Sequence, residues 1–370
     1  MGDVVQNTLY LTTPGTFVSR DHLTIRIEIP VYSPDLPTEE RSRENAIDWR
    51  KLSIPIHHLE SVCSFGPQIT LTAPLLDLCW EHGVSVNYLS ENGYLQARVT
   101  GVADTSVSLR RAHFRSADIH QNCAALARQF IAGKIQNSRN SLLRSSRETD
   151  STPEKLRITV VTDFLARQLH QLGNLSKADL LEEDCLATLR GFEGISALNY
   201  FSVFSLLLKQ QKESFNFTSR SRRPPRDKIN CFLSFTYALL RHDCVAALTA
   251  VGLDPFVGFL HAERPNRPAL ALDLMEEFRP WIADRLAITL INRRQIGPEH
   301  FRDREGGSCE FTDAGRRIVI SAYQDRKRES LHHSMLNQSL RIGQLPFIQA
   351  RILARYIRCD LPEYLPFIPK

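Results

Sequence analysis

TSVSLRRAHFRSADIHQNCAALARQFIAGKIQNSRNSLLRSSR, residues 105–147, decides the fold: one Gly and no Pro interrupt 43 residues, and apolar positions recur at helical spacing. The preceding stretch reads differently. VSVNYLSENGYLQARVTG, residues 84–101, alternates apolar and polar residues around Asn92-Gly93, the pair that supplies two positive-φ positions for a tight hairpin turn. Strand spacing therefore gives way to helix spacing near Thr105. The expectation is α+β: an N-terminal β-rich domain over 1–104, followed by a larger all-α domain over 105–370.

Upstream of the hairpin, TLYLTT, LTIRIEIPVY and LSIPIHHL are short β-branched runs separated by Pro, Gly and polar residues, and read as strands. QITLTAPLLDLCWEHG (68–83) reads as one helix ending at Gly83, and SPDLPTEERSREN (33–45) as a mobile polar loop. Downstream, Pro153 opens a helix, and Ser176 with Asp179 resembles a capping box starting another. KINCFLSFTYALLRHDCVAALTAVG forms a helix with Gly252 just past its end. Asp254-Pro255 supplies an N-cap and first-turn proline for a short helix, FVGFLH, carrying His261. In ALALDLMEEFRPWIADRLAITLINRR, Leu274, Phe278, Trp281 or Ile282, and Leu286 form an apolar stripe; Asp273, Glu276 and Glu277 lie off it, and Pro280 bends or interrupts the helix.

Composition narrows the function classes. Hydrophobic residues at 42% and charged residues at 24% fit a globular protein of two domains, not a fibre or a disordered tail. The first residues lack a secretory signal and no stretch approaches 18 apolar residues, so a cytoplasmic location is expected. Eight cysteines (63, 79, 123, 185, 231, 244, 309 and 359) form no CxxC pair and read as reduced core residues. Formal charge is −6 over 1–104 and +11 over 105–370, which places polyanion binding and a solvated basic surface about level. No GxGxxG, Walker loop, GxSxG or HExxH occurs.

Glu193 between Gly191 and Gly194, His261, and Asp273 with Glu276 bring acids and an imidazole into apolar surroundings on separate segments. Carboxylates suit a hard divalent ion, and one neutral imidazole shifts preference toward Mn2+ without excluding Mg2+. Each residue alone has a plainer account: a surface carboxylate, a packed core histidine, a solvated Glu276-Glu277 face. His57-His58 and His332-His333 each read as one packed and one wet ring on a strand. SRSRRPPRDK presents Arg220, Arg222, Arg223, Arg226 and Lys228, whose guanidinium forks suit phosphate oxygens; Arg293, Arg294 and Arg326-Lys327-Arg328 are further DNA-binding candidates.

RKLSIPIHHLESV (50–62), KIQNSRNSLLR (134–144), GFEGISALNYF (191–201), DKINCFLSFTYALL (227–240), DPFVGFLH (254–261), ALALDLMEEFRP (269–280) and LPFIQARILARYIRCDLPEYLPF (345–367) occur in this order. Together they resemble the CRISPR-associated spacer-acquisition endonuclease/integrase family, in the version accompanying type I-C systems. The resemblance implies a metal-dependent enzyme that inserts foreign DNA as new spacers by phosphodiester transesterification. It implies an N-terminal dimerisation domain, a C-terminal catalytic domain, and metal ligands at Glu193, His261 and Glu276, with Asp273 the neighbouring acid and rival third ligand. The family's Asn-Pro before the long helix is replaced by Asp227-Lys228, while Asn230 and Ser234 are retained. Implied partners are double-stranded DNA, a second copy forming a homodimer, and a small ferredoxin-like Cas protein completing a heterohexamer. The tail DLPEYLPFIPK reads equally as a docking strap or as a segment folded on its own domain. The alternative function is a catalytically silent DNA-binding scaffold of the same complex.

Overall fold

The structure is a computed structural model that describes residues 8–369 apart from 34–35, 38–39, 60, 67, 91–94, 100–106, 177 and 334. The chain separates into two compact units, Met1–Asp104 and Thr105–Lys370.

In the first unit, β1 (Thr8–Leu11), β5 (Ser61–Phe65), β7 (Ser85–Leu89) and β8 (Leu95–Val99) form one four-stranded sheet in the order β1-β5-β7-β8. β2 (Phe17–Asp21), β3 (Thr24–Val31), β4 (Asp48–Pro55) and β6 (Thr70–Leu71) form a second, ordered β4-β3-β2-β6. Every residue of β5 is buried, as expected for a strand with parallel neighbours on both sides. In β3, Ile25 and Ile27 face inward while Arg26 faces solvent, the period-two signature. These isoleucines join Val18, Val62, Val86, Leu75 and Leu78 in one core.

β7 and β8 pair antiparallel, so the hairpin is present; Asn92-Gly93 lies outside the described residues. The expected helix over 68–83 is shorter. Thr70–Leu71 pairs with β2, and α1 spans only Ala73–Glu81 with Pro74 in its first turn; Gly83 follows at φ +70°. The β-branched ITLT run and the extended Thr72 carry the strand up to the helix start. His57 and His58 sit in a 3-10 turn (Ile56–His58) after β4, not on a strand, with their rings 4.3 Å apart. The described end of the 33–45 loop is pinned, with Arg43 over Phe17 and Trp49 at 4.6 and 4.8 Å.

The second unit is helical with two small hairpins, so it is not purely α. Its helices are α2 (Val107–Ala117), α3 (His120–Arg147), α4 (Thr152–Gly173), α5 (Cys185–Ser202), α6 (Lys228–Val251), α7 (Ala269–Met275), α8 (Arg285–Asn292), α9 (Asp313–Arg328) and α10 (Leu345–Ile357). The hairpins pair β9 (Phe301–Asp303) with β10 (Cys309–Phe311) and β11 (Ser330–His333) with β12 (Gln338–Arg341). Ser151 caps α4 by accepting from the Glu154 N–H, and Asp227 caps α6 by accepting from Asn230 N–H at 2.8 Å. Gly252 closes α6 in the left-handed region. The Ser176–Asp179 reciprocal cap is formed, but it starts only a 3-10 turn (Asp179–Leu181); α5 begins later, at Cys185.

α6 is the spine, with α7, α8 and α10 packed on it, while α3 packs against α4, α5 and α7. Both histidine readings hold for β11: His333 is buried and His332 exposed. Seven cysteines are buried; Cys359 is exposed and so departs from the expected core set. Among the described residues no helix is long and apolar enough to cross a membrane.

Candidate functional site

His261 does not ride on a helix. After Gly252 the chain turns at Asp254–Phe256, where the Asp254 carboxylate accepts from Phe256 N–H, and runs on irregularly to His261. Asp273 holds it there. Its Oδ2 accepts from the N–H groups of Phe259 (2.7 Å) and Leu260 (3.0 Å), and its Oδ1 from the N–H of His261 (2.9 Å) and from His261 Nδ1 (2.7 Å). Four donors on one buried carboxylate replace the hydrogen bonds that a helical turn would have made. His113 on α2 supports the other side, donating from Nε2 to the Val257 carbonyl, and Arg190 donates twice to the Leu260 carbonyl. Gly258 permits the approach, because a Cβ there would lie 2.7 Å from Ala269 Cβ and 3.0 Å from Asp273 Oδ2.

With Nδ1 committed to Asp273, His261 turns its Nε2 toward Glu276, 3.7 Å from Oε1. Glu276 is fully buried, so the expected solvated Glu276-Glu277 face does not exist; Asp273 and Glu277 are fully buried as well. The segment expected as one helix is α7, a loosened turn and a π-helical stretch (Arg279–Asp284) around Pro280 before α8. Arg279, three residues after Glu276, places its guanidinium 3.0 Å from Glu276 Oε1.

Lys134 of α3 reaches the other oxygen of the same carboxylate, with Nζ 2.8 Å from Glu276 Oε2, and also pairs with Glu193 of α5. Burial drives the Glu276 pKa up, but Arg279, Lys134 and His261 outweigh it and hold the carboxyl down at about 2. Glu193, His261 and Glu276 are therefore drawn together from three elements, with one ammonium between the two glutamates. Asp273 stands behind His261 with both oxygens accepting hydrogen bonds.

Beside this centre lies a small cleft walled by Lys134, Glu193, Arg220, Arg222, Tyr237 and Asp284 among others. Asp284 accepts from Tyr237 (2.6 Å) and Tyr200 (3.0 Å), and burial lifts its pKa to about 6. Arg220 is half-buried and engaged within the fold: it donates to Asn230 Oδ1 at 2.6 Å and to Ser234 Oγ at 3.2 Å. Arg222, Arg223 and Arg226 are exposed and Lys228 is half-exposed at the start of α6. Arg293 and Arg294 are exposed at the end of α8 and do not line the cleft. Lys327 is excluded from DNA contact, because it is buried in an ion pair with Asp243 at 2.9 Å.

The tail resolves in favour of folding on its own unit. Tyr364 donates to Glu277 at 2.6 Å, the Phe367 N–H donates to the same carboxylate, and Asn137 of α3 donates to the carbonyls of Glu277 (2.7 Å) and Phe367 (2.8 Å). Sequence reasoning missed Lys134, Arg279, Arg190 and His113. Lys134 stood in the KIQNSRNSLLR motif but was counted only as part of the basic excess.

The donor set tests well against a divalent cation. Neither oxygen of the buried Glu276 carboxylate accepts a well-angled hydrogen bond, although cations stand beside both, and His261 Nε2 lies 3.7 Å from its Oε1. Two carboxylates already share a positive charge. Among the described residues no three His, Cys, Asp or Glu side chains converge at ligand distance as they stand, because the glutamates meet at the ammonium instead.

A β-rich unit and a helical unit with a buried carboxylate–imidazole centre define a class of α+β proteins, and comparison specifies which. The sequence profile described as "CRISPR associated protein Cas1" matches residues 9–325. The chain belongs to the CRISPR-associated Cas1 family. It is 42% identical over 365 residues to "CRISPR-associated endonuclease Cas1 1" of Moorella thermoacetica, covering 99% of each chain. Its fold is similar to that of a solved structure described as a casposase bound to integration product (TM-score 0.79, 22% identity, 98% of this chain and 93% of that one). It also matches part of a Cas6-RT-Cas1–Cas2 complex (TM-score 0.75, 21% identity, 100% of this chain and 36% of that one).

Proposed function

We propose that this protein is a metal-dependent DNA endonuclease and integrase that inserts foreign DNA fragments as new spacers into a CRISPR array. The reading is supported by family membership and by relatives named endonucleases. It rests on one observation above the others: Glu193 and Glu276 close on a single cation while His261 Nε2, fixed by Asp273, faces the same carboxylate.

Glu193, His261 and Glu276 would hold Mg2+ or Mn2+, which when bound supplies Lewis acidity and lowers the pKa of a bound nucleophile. Asp273 is a positioning residue that fixes the tautomer and ring plane of His261. Arg279 keeps Glu276 ionised. In the displacement, a DNA 3′ hydroxyl gives up its proton and its oxygen forms a new P–O bond while the existing P–O3′ bond breaks and the departing 3′ oxygen takes up a proton; water in place of the hydroxyl gives hydrolysis. Arg222 on the cleft, with Arg223, Arg226 and Lys228, positions phosphates without reading bases. Arg293 and Arg294 are a second, separate contact.

The β-rich unit serves dimerisation, and a small ferredoxin-like Cas protein joins two dimers into a heterohexamer acting on double-stranded DNA in the cytoplasm. The test is an integration assay with a short labelled duplex and a plasmid bearing the repeat, with and without that partner. Covalent insertion that requires added Mg2+ or Mn2+ is expected. Binding of DNA with no metal-dependent product would identify a silent scaffold instead.

A further inference from the structure

Lys134 is out of place for a surface lysine. Its side chain is 11% exposed, its ammonium pairs with both Glu193 and the fully buried Glu276, and α3 carries it to the spot where the two carboxylates meet. Basic neighbours on the same helix have ordinary roles: Arg128 donates to the Leu175 carbonyl and Arg139 to the Thr162 carbonyl. Lys134 alone is spent on the acids of the centre.

We infer that Lys134 is a resident counter-cation that closes the centre and must be displaced when a divalent ion binds. This rests on the assignment of Glu193, His261 and Glu276 as ligands. A buried carboxylate (Glu276) and a half-buried one (Glu193) without compensating charge repel each other, and Arg279 pairs with only the first. The ammonium supplies the second positive charge and keeps the glutamates together. An ammonium and a divalent ion cannot share that space, since hard cations take oxygen ligands at about 2.0–2.6 Å and the two charges would repel in a poorly solvated site. The lysine stem has somewhere to go: Lys134 also lines the cleft, beside Ser138, Ser196 and Tyr200. Metal loading thus exchanges an internal ion pair for an external ion, and it releases a cation into the cleft.

The experiment is a Mn2+ titration of the full-length protein without DNA, followed by electron paramagnetic resonance, on wild type, Lys134→Met and Lys134→Arg. Removing the competing charge in Lys134→Met is expected to tighten Mn2+ binding by about tenfold, while Lys134→Arg does not tighten it. Unchanged or weaker binding by Lys134→Met overturns the inference. A second readout uses wild type alone: reductive methylation of Lys134, read by mass spectrometry, is expected to be slow without metal and faster with Mn2+. Labelling that Mn2+ leaves unchanged or slows also overturns it. Wild type that binds no Mn2+ sinks the ligand assignment as well, which separates that failure from failure of the counter-cation alone.

Discussion

Asp273 grips His261 twice, through the backbone N–H at 2.9 Å and the ring Nδ1 at 2.7 Å, so one carboxylate oxygen sets both the position of the residue and the direction of its Nε2. Asp273→Asn replaces an acceptor with a donor that must face N–H groups. Metal affinity is expected to fall about 10–100-fold and stability by about 1–3 kcal/mol, with DNA affinity retained. Mn2+ titration and urea melts of the purified variant check both. Unchanged affinity would show that His261 does not depend on this support.

Gly133, one residue before Lys134, lets the tail dock. A Cβ there would lie 2.7 Å from Pro366 Cβ and 3.2 Å from Glu277 Cβ. Gly133→Ala is expected to cost about 1–3 kcal/mol and to expose the tail to protease, since overpacking must push out Pro366. Limited proteolysis with mass spectrometry reads the cut sites.

Glu277 gives the protein a pH signature. Burial lifts its carboxyl to about 8 despite bonds from Tyr364, Phe367 and Gln349. A folded-state pKa raised above the unfolded value makes the associated stability full below about pH 4 and progressively lost as pH rises through about 8. Glu277→Gln removes this titration. Relative to wild type, the variant should therefore fare better at pH 8.5 than at pH 5.5 in thermal melts. An equal difference at both values would contradict the shift.

The arginine loop separates into two roles that mutagenesis can tell apart. Arg220→Ala leaves Asn230 and Ser234 short of a donor and should lower stability by about 1–3 kcal/mol. Arg222→Ala, Arg223→Ala and Arg226→Ala should leave the melt unchanged and weaken DNA binding, each lost phosphate contact flattening the salt dependence by about 0.9 in log–log slope. Fluorescence anisotropy across a salt series measures this.

The long helices were legible because periodicity and end glycines agree locally: Gly252 closes α6 as the sequence implies. The irregular path to His261 was not, since Asp254-Pro255 is a sound helix start and only a carboxylate on another element overrides it. The same holds for DLMEEF. An apolar stripe on one face says nothing of whether the other faces are covered, and here α3, α6 and the tail cover them. Lys134 was invisible as a site residue because a lysine in a basic helix reads as solvated until its acidic partners are seen in space. The family resemblance supplied the expectation for Glu193, His261 and Glu276; only the fold shows that Asp273 supports the backbone and ring of His261.

The central claim is that Glu193, His261 and Glu276 form one metal-dependent centre. The most direct test is the rate of cleavage and strand transfer on branched DNA with Mn2+, for wild type, Glu193→Gln, His261→Ala and Glu276→Gln. Each variant is expected to lose activity by about 10³-fold or more while binding DNA within about threefold of wild type. A near wild-type rate in any one of the three would contradict the account.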